Sequence, residues 1–325
     1  MMLTPANILK KINAEIKDSK YGTHPKNLYQ PITYIMDLGG KRLRPMLAVY
    51  AFGLYKNEIA EVIRPAIAIE IFHNFTLMHD DIMDNAPLRR GKPTVHEKWD
   101  NNIAILSGDV MLVKAYQVLE ELQSEHFKKV FVAFNACAAG VCEGQQLDMD
   151  FSKLDAVTMP DYIEMIRLKT AILLGFSLQM GALLADASEA DTNHLKAFGE
   201  AIGIAFQITD DLLDAYGDAD KFGKKVGGDI IENKKTFLSI KAMEVGSKVE
   251  KQAMKALVEN PTLDDAAKVA EVIKIYDKLK IKQITQDEIN IYFEKGLQHL
   301  SKVKADIFRK GLLKKFVTDL MQREN

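Results

Sequence analysis

Cysteine is nearly missing: Cys137 and Cys142 are the only two among 325 residues, both in an apolar stretch with helical spacing. Two such thiols exclude a multi-cysteine disulfide framework or zinc site, and they are expected to be buried, free and reduced in a cytosol. Proline is scarce, with none between Pro93 and Pro160 or between Pro160 and Pro261, so long stretches carry nothing that breaks a helix. An excess of one charge is missing too. The chain has 43 basic and 45 acidic residues, a formal net charge of -2, which implies no global attraction to nucleic acid or to an anionic membrane and leaves charge chemistry to local clusters. The longest apolar run, Ala171 to Ala185, contains Gln179 and lies between Lys169 and Asp186. It falls short of the roughly 20 residues that cross a bilayer and reads as a core helix. The first residues, MMLTPANILKKINAEIKD, lack the apolar core of a secretory signal. The expectation is a cytoplasmic protein with no transmembrane segment.

What is present is helical patterning. Apolar positions recur every three or four residues over Ile8 to Ile16, Val130 to Val141, Tyr162 to Leu184, Leu195 to Leu213 and Ile307 to Met321, the period of helices with a core-facing stripe. No segment reads as a convincing strand, so the class is all-α. With 47% hydrophobic residues the chain can bury a large core, and no linker or repeat divides it; residues 1–325 read as one domain. Gly39-Gly40 marks a left-handed helix end, and Pro45 marks the start of the next helix. Two irregular segments, Asn85 to Trp99 and Gly217 to Lys235, are rich in glycine, proline and basic residues.

Two acidic helix ends stand out. The segment Ala66 to Asp84 reads as a mostly apolar helix, with Pro65 at its first position, ending in Asp80, Asp81 and Asp84. Residues four apart share a helix face, so Asp80 and Asp84 project together, with His73 two turns back on the same side. Carboxylates at a helix carboxyl end oppose the macrodipole and repel one another by about 4 kcal/mol per pair at roughly 4 Å with an effective dielectric near 20. The pattern returns as Gln207, Asp210, Asp211 and Asp214. A single such motif reads most simply as a solvated helix end, whereas two copies suit a hard divalent ion such as magnesium that bridges carboxylates to substrate phosphates. Neither segment has the alternating acidic ligands and central glycine of an EF-hand.

Basic residues cluster around these motifs: Lys41, Arg42 and Arg44 in GGKRLRP, Arg89 and Arg90 in PLRRGKP, Lys169-Thr170 inside an apolar helix, Lys224 and Lys225 in GKKVGGD, then Lys234-Lys235. Arginine forks match phosphate oxygens. Each loop lysine alone reads as solvated surface, but Lys169 within an apolar helix must snorkel or meet an anion. Together they imply a polyanionic ligand. His73 alone would be an ordinary core histidine, raised in interest by its register with Asp80.

DDIMD and DDLLD, with GGKRLRP, RRG, KT and GKKVGGD around them in order from Gly39 to Lys235, resemble the trans-isoprenyl diphosphate synthase (polyprenyl synthetase) family, short-chain type. The resemblance implies an all-α fold of ten or more helices around a deep central cavity, with the acidic motifs facing each other at its mouth, and a homodimer. It implies a magnesium-dependent enzyme that condenses isopentenyl diphosphate with dimethylallyl, geranyl or farnesyl diphosphate and releases pyrophosphate, with three magnesium ions beside the bound allylic diphosphate. Asp80, Asp84 and Asp210 are implied as direct ligands, and Asp81, Asp211 and Asp214 as ligands through water. Arg89, Lys169 and Lys224 match positions that hold the allylic diphosphate, and Lys41, Arg44, His73 and Arg90 match those that hold isopentenyl diphosphate. Thr170 and Gln207 match residues beside the reacting carbons, where their oxygens stabilise positive charge. Asp80, Asp81, Asp84, Arg89, Lys169, Gln207, Asp210 and Lys224 make up the implied catalytic set.

In this family an aromatic residue five positions before the first motif goes with short products; here that residue is Phe75, followed by Thr76. DDIMD also lacks a two-residue insertion found in many farnesyl and plant-type enzymes, which favours a twenty-carbon product over fifteen. Phe72 and Phe75 read equally as core packing. The alternatives are a longer-chain synthase and a catalytically silent partner subunit. A terpene cyclase fits less well because DDLLD and the basic residues depart from its usual second metal motif. A purely structural bundle leaves the acidic clusters without a purpose.

Overall fold

A computed structural model describes residues 4–217, 227–260 and 263–322. Helices make up nearly all of it: α1 (Pro5–Asp18), α2 (Lys26–Asp37), α3 (Leu43–Gly53), α4 (Ala60–Met83), α5 (Val95–Lys98), α6 (Asn101–Glu120), α7 (Ser124–Phe151), α8 (Met159–Ile166), α9 (Ile172–Leu184), α10 (Glu189–Tyr216), α11 (Gly228–Ile231), α12 (Phe237–Val245), α13 (Lys248–Glu259), α14 (Asp265–Lys278), α15 (Ile281–Lys302) and α16 (Ile307–Gln322). The all-α class is correct, and every stretch with helical spacing lies in a helix.

The described residues form two compact units. The first holds Met1–Asn135, Phe176–Leu195 and Lys304–Leu313; the second holds Ala136–Gly175, Lys196–Val303 and Lys314–Asn325. In the first, α4 is the central helix and packs on α1, α2, α3 and α6. It is buried almost all round, through Val62, Ile67, Ile69, Ile71, Phe72 and Met78, as a helix with neighbours on several sides must be. Gly108 of α6 lies so close to the His79 ring that a Cβ there would collide with it. In the second unit, Tyr162, Ile208, Leu212, Phe237, Val272, Tyr276 and Ile289 form one apolar cluster.

Four expectations need correcting. Helix α4 begins at Ala60, and Pro65 lies inside it; a proline this early forgoes one backbone bond, to Glu61, and the apolar packing of the helix outweighs that loss. Pro45 stands third in α3, where its missing N–H has no intrahelical partner in any case. Two two-residue strands, β1 (Leu88–Arg89) and β2 (Lys92–Pro93), pair as an antiparallel hairpin within the segment read as irregular. Cys137 is buried, but Cys142 is exposed; both are free. The left-handed helix end at Gly39 (φ 79) is present as expected.

By length and composition, α6 and the helical segment Met159–Leu184 are each apolar enough to cross a membrane. The latter exceeds the apolar run read from sequence because it continues unbroken from α8. It is mostly buried, as a core helix is, whereas α6 buries the smaller part of its length.

Candidate active site

In the first unit, α4 positions two groups of opposite character. Two turns before its acidic end, half-buried His73 meets Arg44 from the first turn of α3, with Arg44 Nη1 3.0 Å from His73 Nε2. Burial, then the charges of Arg44, Arg90, Arg89 and Arg42, holds the imidazole well below its usual pKa. His73 is therefore neutral, and its Nε2 accepts the hydrogen bond from Arg44. Arg90, in a left-handed turn (φ 52), donates to the Gly39 carbonyl. A Cβ on Gly40 would stand 3.0 Å from its guanidinium carbon, so the bare glycine admits the arginine. Burial lowers the Arg90 pKa, yet a guanidinium stays charged at neutral pH. Arg44, Arg90 and exposed Lys41 thus concentrate positive charge around the loop between α2 and α3.

At the carboxyl end of α4, the Asp84 N–H donates to the Asp80 carbonyl at 2.9 Å, continuing the helical turn through the motif. Asp80 is half-buried and Asp84 exposed, whereas Asp81 is only 2% exposed. Both Asp81 oxygens accept from Arg89 Nε at 2.8 Å, and Arg89 Nη2 lies 2.7 Å from Oδ1. Burial raises the Asp81 pKa, and Arg89 pulls it back. The hairpin that carries Arg89 and Arg90 is anchored by Tyr34, whose hydroxyl donates to the Pro93 carbonyl at 2.7 Å, and by Thr94 Oγ1, which donates to the Ala86 carbonyl at 2.8 Å. Arg89→Ala leaves a buried carboxylate without its partner. It should cost about 3 kcal/mol, below the upper end for a fully buried pair because Arg89 itself is partly exposed. Asp81→Asn should cost less, and urea denaturation of the two variants checks the order.

In the second unit, residues 167–171 widen into a π-helical turn between α8 and α9 that carries Lys169 and Thr170. Such turns are frequent at functional sites. Gly144 of α7 makes room for it: a Cβ there would strike the Lys169 backbone. Lys169 Nζ donates to Asp148 Oδ2 of α7 at 2.6 Å. Thr170 Oγ1 donates to Gln207 Oε1 at 3.0 Å, and Gln207 Nε2 donates to Asp211 Oδ1 at 3.3 Å. Asp211 is buried. Its Oδ2 also accepts from the Tyr162 hydroxyl at 2.5 Å and from the Phe237 N–H at 2.9 Å. Burial, then the charge of Asp229, pushes its pKa up to about 7. Asp210 beside it is exposed, so neighbouring aspartates have separate environments, one in water and one tying α10 to α8 and α12. Asp214 Oδ2 accepts from the Asp229 N–H at 2.9 Å. Lys224 and Lys225 lie outside the described residues, and Lys234 lies 3.2 Å from Glu232.

The polyprenyl synthetase family model matches residues 25–276. The chain belongs to the polyprenyl synthetase family. Among curated polyprenyl synthetases it is 40% identical over 276 residues to a short chain isoprenyl diphosphate synthase of Methanocaldococcus jannaschii, covering 85% of this chain and 83% of the relative. A crystal structure of a geranylgeranyl pyrophosphate synthase matches all of this chain and all of its own, with a TM-score of 0.95 and 40% identity. A polyprenyl synthase from Caulobacter crescentus, solved with calcium and isoprenyl diphosphate, matches with a TM-score of 0.85 and 25% identity, covering 98% of this chain and 94% of its own.

Sequence reasoning about this polyprenyl synthetase missed Asp148, the acceptor for Lys169. Its signal was weak, one of two carboxylates in GQQLDMD on a helix that also carries Glu143, Gln145 and Gln146. It also missed Tyr162, whose hydroxyl meets Asp211; burial, then the Asp211 charge, raises its pKa well above the usual value. Nothing local distinguishes Tyr162 from a packing residue.

Proposed function

We propose that this polyprenyl synthetase is a magnesium-dependent trans-prenyltransferase that extends allylic diphosphates with isopentenyl diphosphate and makes geranylgeranyl diphosphate. The observation that carries the reading is α4 itself, which holds carboxylates at its end and, two turns back, a neutral histidine against an arginine. The helix end suits a cation, and the position two turns back suits a diphosphate.

The donor set fits magnesium. Asp80 and Asp84 offer hard carboxylate oxygens at the negative end of a helix, and exposed Asp210 offers another. In this reading these three are the direct ligands, and Asp81, Asp211 and Asp214 act through water. Bound magnesium, as three ions, supplies the charge that stabilises the departing diphosphate. Arg89, Lys169 and Lys224 hold the allylic diphosphate, and Lys41, Arg44, His73 and Arg90 hold isopentenyl diphosphate, with neutral His73 adding no proton to the olefinic substrate. The allylic carbon–oxygen bond breaks first, giving an allylic carbocation and pyrophosphate. Thr170 and Gln207 oxygens stabilise that cation in a cavity that excludes water. The isopentenyl double bond then forms the new carbon–carbon bond, and a proton passes to the released pyrophosphate. No side-chain nucleophile is required.

Residues 1–325 act as one polyprenyl synthetase domain, in the cytoplasm, as a homodimer. The exposed face of α6 supports the dimer: Ile105, Leu106 and Val113 are 42%, 57% and 52% exposed, a patch of the kind that self-association covers. Leu106→Glu with Val113→Glu should convert the dimer to a monomer in sedimentation velocity.

Removal of magnesium by a chelator tests the function. Transfer of radiolabel from isopentenyl diphosphate to an organic-extractable product should stop and return on adding magnesium. Turnover unaffected by chelator would reject the metal role.

A further inference from the structure

Arg42 is the one basic residue of GGKRLRP to which the reaction gives no task, and it faces away from its neighbours. Lys41 is exposed, but Arg42 is 4% exposed. A left-handed backbone (φ 49) at the start of α3 turns it inward. There Nη2 donates to the Met36 carbonyl of α2 at 2.7 Å, Nε to Asn13 Oδ1 of α1 at 3.4 Å, and Nη1 to Glu70 Oε1 of α4 at 2.7 Å. Glu70 is 2% exposed. Buried Asn74 Nδ2 donates to the Glu70 carbonyl at 2.8 Å and to its Oε1 at 3.3 Å. One guanidinium fork thus joins the start of α3 to three other helices, which a lysine's single ammonium could not reproduce.

Two rungs therefore connect α3 to α4. Arg42–Glu70 is buried and ionic. Arg44–His73 is half-buried and lies beside the basic loop, two residues along α3 and three along α4. Residues three apart on a helix share a face, so any slide of α3 against α4 that breaks the first rung displaces the second.

We propose that Arg42 and Glu70 are positioning residues that hold Arg44 and His73, and with them Lys41, in the register that binds isopentenyl diphosphate. The inference rests on the assignment of those three residues to that substrate. Stability alone does not explain the pair, because apolar residues of similar volume commonly replace a buried ion pair without loss.

That replacement is the test. Full-length Arg42→Met/Glu70→Met and Glu70→Gln are compared with wild type by thermal melt and by steady-state kinetics. Isopentenyl diphosphate is varied at saturating farnesyl diphosphate, and then the reverse. The double variant should melt within about 3 °C of wild type. The KM for isopentenyl diphosphate should nevertheless rise roughly ten- to a hundredfold, while that for farnesyl diphosphate stays within about twofold. Glu70→Gln should show the same selective rise, and it decides the matter alone if the double variant does not fold. An isopentenyl diphosphate KM within about twofold of wild type in either folded variant overturns the proposal. So does an equal rise for both substrates. Absence of wild-type turnover overturns the reading of the site itself, and the two failures are thereby distinguished.

Discussion

Asp80→Ala should lower elongation on the order of 10³-fold without lowering the melting temperature. Asp80 stands at the negative end of α4, next to Asp81 and one turn before Asp84. A carboxylate there works against the helix dipole, so removing it relieves an opposition worth about 0.3–1 kcal/mol. A group retained at a cost to folding serves something bound. The loss of activity should fall mainly on kcat with the allylic substrate saturating, because charge on the leaving diphosphate is greatest in the transition state. Asp81→Ala gives a contrasting result. Asp81 is buried against Arg89, so its removal should lower the melting temperature as well as the rate. Paired melts and single-turnover rates check both outcomes; an Asp80→Ala protein with wild-type kcat would refute the ligand role.

Phe75→Ala should lengthen the product beyond twenty carbons. Phe75 is 8% exposed on α4, in one aromatic series with Phe72, centroid to centroid 5.6 Å, and His79, 4.8 Å. Removing the ring opens space on the helix that carries the first acidic motif, at a stability cost of about 3 kcal/mol. Phe72 is the next aromatic ring back along α4. It is fully buried and packs edge-on against Phe134 at 5.2 Å, which in turn meets Tyr116 and Phe176. Products of twenty-five to thirty carbons are therefore expected, with a further increase in Phe72→Ala/Phe75→Ala. Mass spectrometry of the dephosphorylated products decides: an unchanged twenty-carbon product from a folded Phe75→Ala protein would leave Phe75 as core packing alone.

The local features of this chain were readable because periodicity and helix-end chemistry are local. The i, i+4 register of Asp80 and Asp84, the glycine turn after α2 and the helices of the second unit all follow from residues a few positions apart. What escaped depended on partners distant in sequence. Arg42 looked like one more phosphate-loop cation, since nothing near it shows that Glu70, twenty-eight residues on, would draw it inward. Lys169 within an apolar helix had to snorkel or meet an anion, and only the fold identifies Asp148 as its partner. Pro65 misled because the proline-first rule is a preference, and enough apolar contact supports a helix that begins earlier. Likewise the hairpin after α4 is too short for alternation to reveal, and its position comes from Tyr34 and Thr94.

Product analysis tests the central claim most directly. Purified protein is incubated with magnesium, isopentenyl diphosphate and, in separate reactions, dimethylallyl, geranyl or farnesyl diphosphate, and the products are identified by chain length. The account predicts linear diphosphates, with geranylgeranyl diphosphate as the end product from each primer. No elongation from any of the three would contradict it and turn attention to a silent partner subunit.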